Sequence, residues 1–520
     1  TGTGIVRGNT VTLKGGSVQG DIYGGTAWRG ANGDVVHNTV KIEGGAITVH
    51  GQSVYGGYTD GTGKVSTNHV EVSGGSLYDV YGGVSENGTT GDVTGNTVAI
   101  SSGMAQDVYG GQARGGSATG NTVTITGGTA RDVYGGQASS SSATGNTVTI
   151  TGGTVRSIDG GRSAQGAATG NTVNLGDGKS DYAGQVNGVI NGGSGMAYGA
   201  DYRTGNTLNV YDNAGAANIR NFAKISFHFN EHVNKTAAML TLSDAGGTMI
   251  GSLSELTVEG AHNHKGTLIK NTHGVAVSDG VNRLAKTEAD EYKELILATS
   301  ADSKQITYEG YAFAHQNTAT TVAEGTDKYT WGGRSVLGNA THHNAITVDS
   351  GTHKNVYGGW TSGTGTEAAD KDSSYHNEVT FDGAGTHADK IYGGYADTNA
   401  GKAASNKVTV KNGKVDNDIY GGAAGGTGDA EENTVRIDGA GAEVASIYGG
   451  FARDTGNAKK NRVYFGAGTV SFAEWMIGGY VGTGGNAEEN TVEVKGGETS
   501  MVYGGFSNRS DAWGNILKNR

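Results

Sequence analysis

An asparagine opens a short strand-like stretch about every 25 to 30 residues, and a Tyr-Gly-Gly usually follows it. The three clearest copies run from Asn96 to Gly111, from Asn121 to Gly136 and from Asn146 to Gly161, so both landmarks advance by 25 residues. A unit this short cannot enclose a core of its own and must stack on copies of itself. The repeat therefore confines the chain to a solenoid, an architecture suited to display, spanning or binding.

Composition narrows this further. Among 520 residues there are 96 glycines and no proline. Without proline and without a Gly-X-Y period a collagen helix is excluded. Missing proline also suits a sheet in which nearly every backbone N–H must pair. No cysteine is present, so no disulfide holds the fold. Absent cysteine is also compatible with export as an unfolded chain. The net charge of -12 argues against nucleic acid and against adsorption to anionic membranes. No run of 18 apolar residues exists to span a bilayer, no signal peptide is visible, and Thr1 reads as a trimmed or mature start.

Two arms carry the repeat. In the first, about 1–210, strands start at Asn9, Asn38, Asn68, Asn96, Asn121, Asn146, Asn171 and Asn206. In the second, about 331–520, they start at Asn344, Asn377, Asn406, Asn433, Asn461, Asn490 and Asn515. Alternation sends Val123 and Ile125 inward and Thr122 and Thr124 outward. The same inward pairs recur at Val40/Ile42, Val70/Val72, Val148/Ile150, Val408/Val410, Val435/Ile437 and Val492/Val494. A Gly-Gly corner such as Gly127-Gly128 follows, then a second strand such as Asp132-Val133-Tyr134, then a second Gly-Gly that should turn the chain again. The expectation is an all-β, right-handed parallel β-helix (β-solenoid) of about 25–30 residues per coil, with an irregular central insertion at 211–330. In that insertion Ile225–Phe229 and Met239–Leu242 read as strands. Residues 281–297 fit a helix with Ala285, Ala289, Tyr292 and Ile296 on one face, although Leu295-Ile296-Leu297 also reads as a buried strand.

Stacking predicts columns. The strand-initial asparagines, Asn96, Asn121, Asn146, Asn433, Asn461 and Asn490 among them, should bond to one another through their amides. Glu431-Glu432, Lys459-Lys460 and Glu488-Glu489 precede successive asparagines, so acid, base and acid should lie side by side and steady the register. Tyrosine leads the second Gly-Gly in ten coils, replaced by Asp159, Trp331 and Ile477 elsewhere. Tolerance of aspartate suggests an outward, shallow aromatic column along one edge. A second aromatic set follows Gly-Gly at Tyr58, Trp360, Tyr395, Phe451, Tyr480 and Phe506, and these are the candidate ligand contacts.

No catalytic, cofactor-binding or metal residues emerge. The pairs His262/His264, His342/His343 and His228/His232 match no specific metal spacing, and the acidic stretch Asp370 to Asp372 belongs to no calcium nonapeptide array. Carbohydrate-cleaving β-helices need carboxylates clustered across adjacent coils, whereas the most regular coils here present threonine, serine and glycine. The outward threonines fail as an ice-binding ladder at Lys41, Glu71, Ala99 and Asn174.

The phrases Gly-Asn-Thr-Val-Thr-Ile-Thr-Gly-Gly-Thr and Asp-Val-Tyr-Gly-Gly, with Asn221-Phe222 and Met239-Leu240-Thr241-Leu242 in the central segment, resemble passenger domains of bacterial type V autotransporters. The resemblance implies an exported β-helical passenger, displayed extracellularly and tethered to a Gram-negative outer membrane by a barrel outside this chain. It favours an adhesin or self-aggregating surface protein, not an enzyme, whose partners would be a host glycan, a host surface protein or identical chains. From the residues themselves no cofactor is expected, and without a long apolar run no direct membrane insertion of this segment. Two further readings stand: a fibre subunit stacked end to end through open solenoid edges, and, below it, a polysaccharide-acting enzyme.

Overall fold

The structure, a computed structural model, describes residues 3–28, 31–47, 51–86, 90–261, 263–288, 293–324, 326–363, 372–470, 474–508 and 516–517. It is all-β, with parallel sheets stacked as a β-solenoid of about 17 turns. Among the described residues the only helical element is a 3-10 turn at Leu253–Glu255.

One coil shows the plan. Ala118–Thr119 forms a two-residue strand, Gly120 turns the chain with φ +64°, and Asn121 leads into the strand Thr122–Ala138. That strand sends Val123, Ile125, Ala130 and Val133 into the core. Ala143–Thr144 then begins the next coil. Register is locked by identity: Val98, Val123, Val148 and Val173 lie in line, as do Ile100, Ile125, Ile150 and Leu175, all buried. Slipping one residue would turn every one of these side chains outward. The later coils repeat this with Val379, Val408, Val435 and Val463. Of the expected inward pairs, Val492/Val494 departs: Val492 is half-buried and Val494 exposed. Among the described residues their strand pairs on one side alone, with Arg462–Phe465.

Two compact units divide the chain, and 211–330 contributes to both. The first comprises Thr1–Ala261, Lys265–Leu284 and Leu297–Tyr308; the second comprises His262–His264, Ala285–Ile296 and Glu309–Arg520. In the first unit parallel stacking continues past residue 210: Leu208, Ile225 and Leu256 align, as do Leu240 and Ile269. The irregularity there consists of coils of unequal length. In the second unit Thr320–Glu324 departs from the pattern by pairing antiparallel with Asp327–Ser335. The helix fitted to 281–297 is corrected: Arg283–Glu288 and Lys293–Thr299 are strands, and Ala289 and Tyr292 lie outside the described residues. Leu295, Ile296 and Leu297 are all buried, so one apolar face of a helix could not have served them. Buried Glu294 accepts from Ser335 Oγ (2.6 Å) and from the N–H groups of Val336 (2.8 Å) and Leu337 (3.1 Å), which holds the turn that follows Ser335.

The asparagines form a column of buried amides. Asn121 Nδ2 donates to Val93 O (3.0 Å) and to Asn146 Oδ1 (3.1 Å). Its Oδ1 accepts from the Nδ2 (3.1 Å) and backbone N–H (3.0 Å) of Asn96. Both donors and both lone pairs are thus used, which is the full capacity of an amide. The same bonds run from Asn9 to Asn206 in the first unit and from Asn344 to Asn490 in the second. At Asn206 the next rung is missing, and Nδ2 turns to the carbonyls of Tyr202 and Asn221. Asn515 lies outside the described residues.

The second Gly-Gly does not turn the chain, contrary to expectation. Gly135 and Gly136 sit inside the strand, and neither has positive φ. Glycine is needed there for space: a Cβ on Gly136 would stand 2.5 Å from both polar atoms of the Asn146 amide. Gly111 faces Asn121 and Gly450 faces Asn461 in the same way. The two landmarks of the repeat are therefore the two halves of one contact.

Among the described residues the one before each column asparagine is left-handed, which the alternation did not reveal. Gly95, Gly120, Gly145 and Gly170 fill this slot in the regular coils, whereas Glu432, Lys460 and Glu489 adopt φ of +57°, +54° and +55° there. Their neighbours Glu431, Lys459 and Glu488 align as acid, base and acid. The Lys460–Glu432 ion pair spans 3.9 Å between exposed groups, so it contributes little.

Asn121→Ala should cost about 3 kcal/mol, because it strands buried partners at roughly 1–3 kcal/mol each; the urea midpoint reads this. Lys460→Gly should instead stabilise, by roughly 0.5–1 kcal/mol, since a left-handed slot penalises any Cβ. A lower urea midpoint for that variant would count against the strain assignment.

Candidate functional site

Strand pairing puts the Tyr-Gly-Gly tyrosines in register, and their rings stack as two ladders. Tyr23, Tyr55, Tyr81, Tyr109 and Tyr134 follow one another at 4.6–5.1 Å with planes within 9° of parallel. Tyr357, Tyr392, Tyr420 and Tyr448 also stack, at 4.8–5.1 Å with planes 12–14° apart. The shallow edge expected from the sequence is corrected. Tyr81, Tyr109, Tyr357, Tyr420 and Tyr448 are buried, as are Trp331 and Ile477 in the same slot. Each ring covers the next, and burial pushes the phenols of Tyr55, Tyr357 and Tyr448 up to about 12. The Asp-x-Tyr spacing has its own role: Asp21 accepts from Tyr23 Oη (2.8 Å) and from the Ser53 N–H of the next coil (2.7 Å).

The six candidate aromatics are half-buried, and five of them share one column. Register aligns Arg334, Trp360, Tyr395, Ala423, Phe451, Tyr480 and Phe506 in the second unit. Phe451 stacks on Tyr480 at 4.7 Å and 5°, and Tyr480 on Phe506 at 5.6 Å. Tyr395 lies against Tyr392, and Phe451 packs edge-on against Tyr420. Arg334 places its guanidinium 4.6 Å from the rings of both Trp331 and Trp360. The column thus roofs the tyrosine ladder with one surface and leaves the other partly open. Tyr58 stands apart in the first unit, packed on Tyr23, Trp28 and Tyr55.

Carboxylates also align, which the threonine-rich reading missed. Asp107 and Asp132 pair in register next to Asp79. All three are engaged. Arg131 forms two bonds to Asp107 (3.0 and 2.8 Å), Arg156 clamps Asp132 in the same way, and Asp79 accepts from the Asp107 N–H (3.2 Å). Burial and the charge of Asp107 raise the Asp79 carboxyl above its usual range. An adjoining hollow of about 500 Å³ is lined by Arg131 and Arg156, not by these carboxylates. A larger groove of about 630 Å³, where the coils become unequal, is bordered by Arg203, Arg220 and His273. Arg203 is paired with Glu255 (2.5 Å) and Arg220 lies 3.6 Å from Asp244, so neither guanidinium stands uncompensated.

The histidine pairs are rearranged by the fold. His228 pairs with Glu259 and His232 with Asp181, in separate contacts. His262 lies outside the described residues, as do Asp370 and Lys371 beside Asp372. His342 and His343, however, are joined by His315 from the preceding coil, and the three offer ligand atoms within 4.8 Å of one another. Burial and the neighbouring imidazoles push His342 down to about 4. His315 was not legible as their partner, since 27 residues separate it from His342.

Compared with protein-family models, curated proteins and solved structures, the chain matches none.

Asp159 replaces tyrosine in its ladder, and burial raises its carboxyl while the Asn191 amide (2.7 Å) and Arg162 partly offset that. A carboxyl raised in the fold stabilises at acid pH, and that contribution is lost as pH rises through its folded value. Asp159→Asn should therefore be more stable than the parent at neutral pH, with the difference closing below about pH 4. Urea midpoints measured from pH 3.5 to 7 test this.

Proposed function

We propose that the chain is the displayed, ligand-binding part of an exported bacterial surface protein, acting in adhesion or self-association through the side of its solenoid. The observation that carries this reading is the aligned aromatic column Trp360, Tyr395, Phe451, Tyr480 and Phe506. Half-buried rings held rigid by a ladder beneath them present apolar area at little entropic cost, which suits the faces of sugar rings or a protein partner. Export rests on the likeness of the repeat phrases to autotransporter passengers. The partner class is a host glycan, a host surface protein or an identical chain. The net charge of -12 disfavours nucleic acid.

Polysaccharide cleavage is the weaker reading. It needs a poised acid and base, whereas Asp107 and Asp132 are clamped by arginines and Asp79 is held by backbone.

The test pairs a glycan and host-protein binding screen with sedimentation over a concentration series. Tyr395→Ser and Tyr480→Ser should keep the fold and weaken the interaction about tenfold each, the loss of one stacked contact of roughly 1–1.5 kcal/mol. Undiminished binding in both variants would move the site elsewhere. Filaments joined end to end in negative-stain images would make the fibre the primary function. Release of reducing sugar from a polysaccharide would restore the enzyme.

A further inference from the structure

The left-handed slot before each asparagine is occupied by glycine in most coils of the first unit, as at Gly95, Gly120, Gly145, Gly170 and Gly205. In the second unit the described coils carry residues other than glycine at this corner, and the first three carry histidine: His315 (φ +56°), before Gln316, whose N–H donates to Asn344 Oδ1 (2.9 Å), and His343 (φ +53°) and His376 (φ +52°), each before an asparagine. Any Cβ there is strained, and strain retained at consecutive positions is a reason to look for a role. Backbone pairing fixes the corner independently of the imidazoles. His315 N–H donates to His342 O (3.1 Å), His342 N–H to Phe313 O (3.3 Å) and His376 N–H to Ala404 O (3.1 Å).

His342 joins the column from the adjoining two-residue strand, with its ring stacked on Tyr375 at 5.0 Å. The ring centroids of His315, His342 and His343 stand 5.1–5.3 Å apart in all three pairings. His342 Nδ1 and His343 Nδ1 are 3.0 Å apart, and the ligand atoms of all three lie within 4.8 Å of one another. His376 is next in line, 5.1 Å from His343 between centroids.

We propose that His315, His342 and His343 form a binding site for a late first-row divalent cation of the zinc class, with His376 or water completing the coordination. Nitrogen atoms bound to one tetrahedral zinc at about 2.0–2.1 Å lie roughly 3.3 Å apart. The distances here bracket that value, and the exposed rings of His315 and His343 can close the remaining gap by turning about their side-chain bonds. An all-imidazole donor set selects zinc, nickel or copper over calcium or magnesium, which require oxygen ligands. Bound metal would clip the segment carrying His315 to the next coil, as a crosslink between successive turns. This site is independent of the aromatic column and does not rest on the adhesion reading.

The test uses the full chain, free of any histidine tag and stripped with chelator, titrated with zinc chloride alone in a calorimeter. One zinc ion per chain at micromolar affinity or tighter is the expected result, with an unfolding temperature that rises with zinc concentration. His343→Gly removes a ligand while relieving the left-handed strain. It should fold at least as well as the parent and yet bind zinc at least roughly tenfold more weakly. His342→Phe keeps an aromatic ring on Tyr375 and should lose binding likewise, while His387→Gln, outside the cluster, should bind as the parent does. Cobalt(II) in place of zinc should show the visible bands of a tetrahedral site. Zinc binding unchanged in both His343→Gly and His342→Phe would overturn the proposal, as would equal competition by calcium or no saturable binding.

Discussion

The fold depends on one contact, the seating of each asparagine amide against the glycine of a Tyr-Gly-Gly. Asn146 lies where a Cβ on Gly136 would stand 2.5 Å away, and its bonds continue to Asn121 on one side and Asn171 on the other. Because every amide donates in the same direction along the column, neighbouring bonds polarise one another. A buried column of this kind tolerates no partial occupancy, since a missing amide strands donors and acceptors in both adjacent coils. This explains why an asparagine and its facing glycine recur in coil after coil although the loop between them varies in length, short from Gly136 to Asn146 and long from Gly359 to Asn377. Where the rung after Asn206 is lost, the coils become unequal.

Once that column sets the register, every other position of the coil becomes a column too. Valine and isoleucine stack inside, tyrosine stacks over them, and the residue after Gly-Gly roofs the tyrosines. The chemistry of the surface is then decided by which residue type fills the same slot in consecutive coils. Aspartate at Asp107 and Asp132 draws an arginine from the next coil and becomes structural. Aromatics at Trp360, Tyr395, Phe451, Tyr480 and Phe506 make a continuous apolar strip. Histidine at His315 and His343, joined by His342, makes an imidazole cluster at a corner that glycine leaves bare in the most regular coils.

The proposed sites therefore both lie in departures from the average coil. Glycine before the asparagine is the relaxed choice, so glutamate, lysine or histidine there marks a position where something outweighs the strain. For Glu432 and Lys460 the visible return is a long, exposed ion pair, and the structure shows no larger one. For the histidines it is a convergence of three imidazoles.

The sequence by itself determined the parallel β-solenoid, because a short period with alternating valine and isoleucine has no other way to bury them. It also named the inward pairs other than Val492/Val494, the asparagine column and the positions of the six aromatics, since each recurs at one offset in the repeat. Only the tertiary structure decided what those offsets face. Gly135-Gly136 reads as a turn in one dimension, yet the chain runs straight there and the glycines make room for an amide arriving from a residue ten positions later. The tyrosines read as exposed because alternation reports direction from the strand and not what covers it. Leu295, Ile296 and Leu297 carry no period that separates a strand buried on both faces from a helix, so packing had to choose. His315 meets His342 and His343 through strand stacking, a contact across coils that no local spacing encodes.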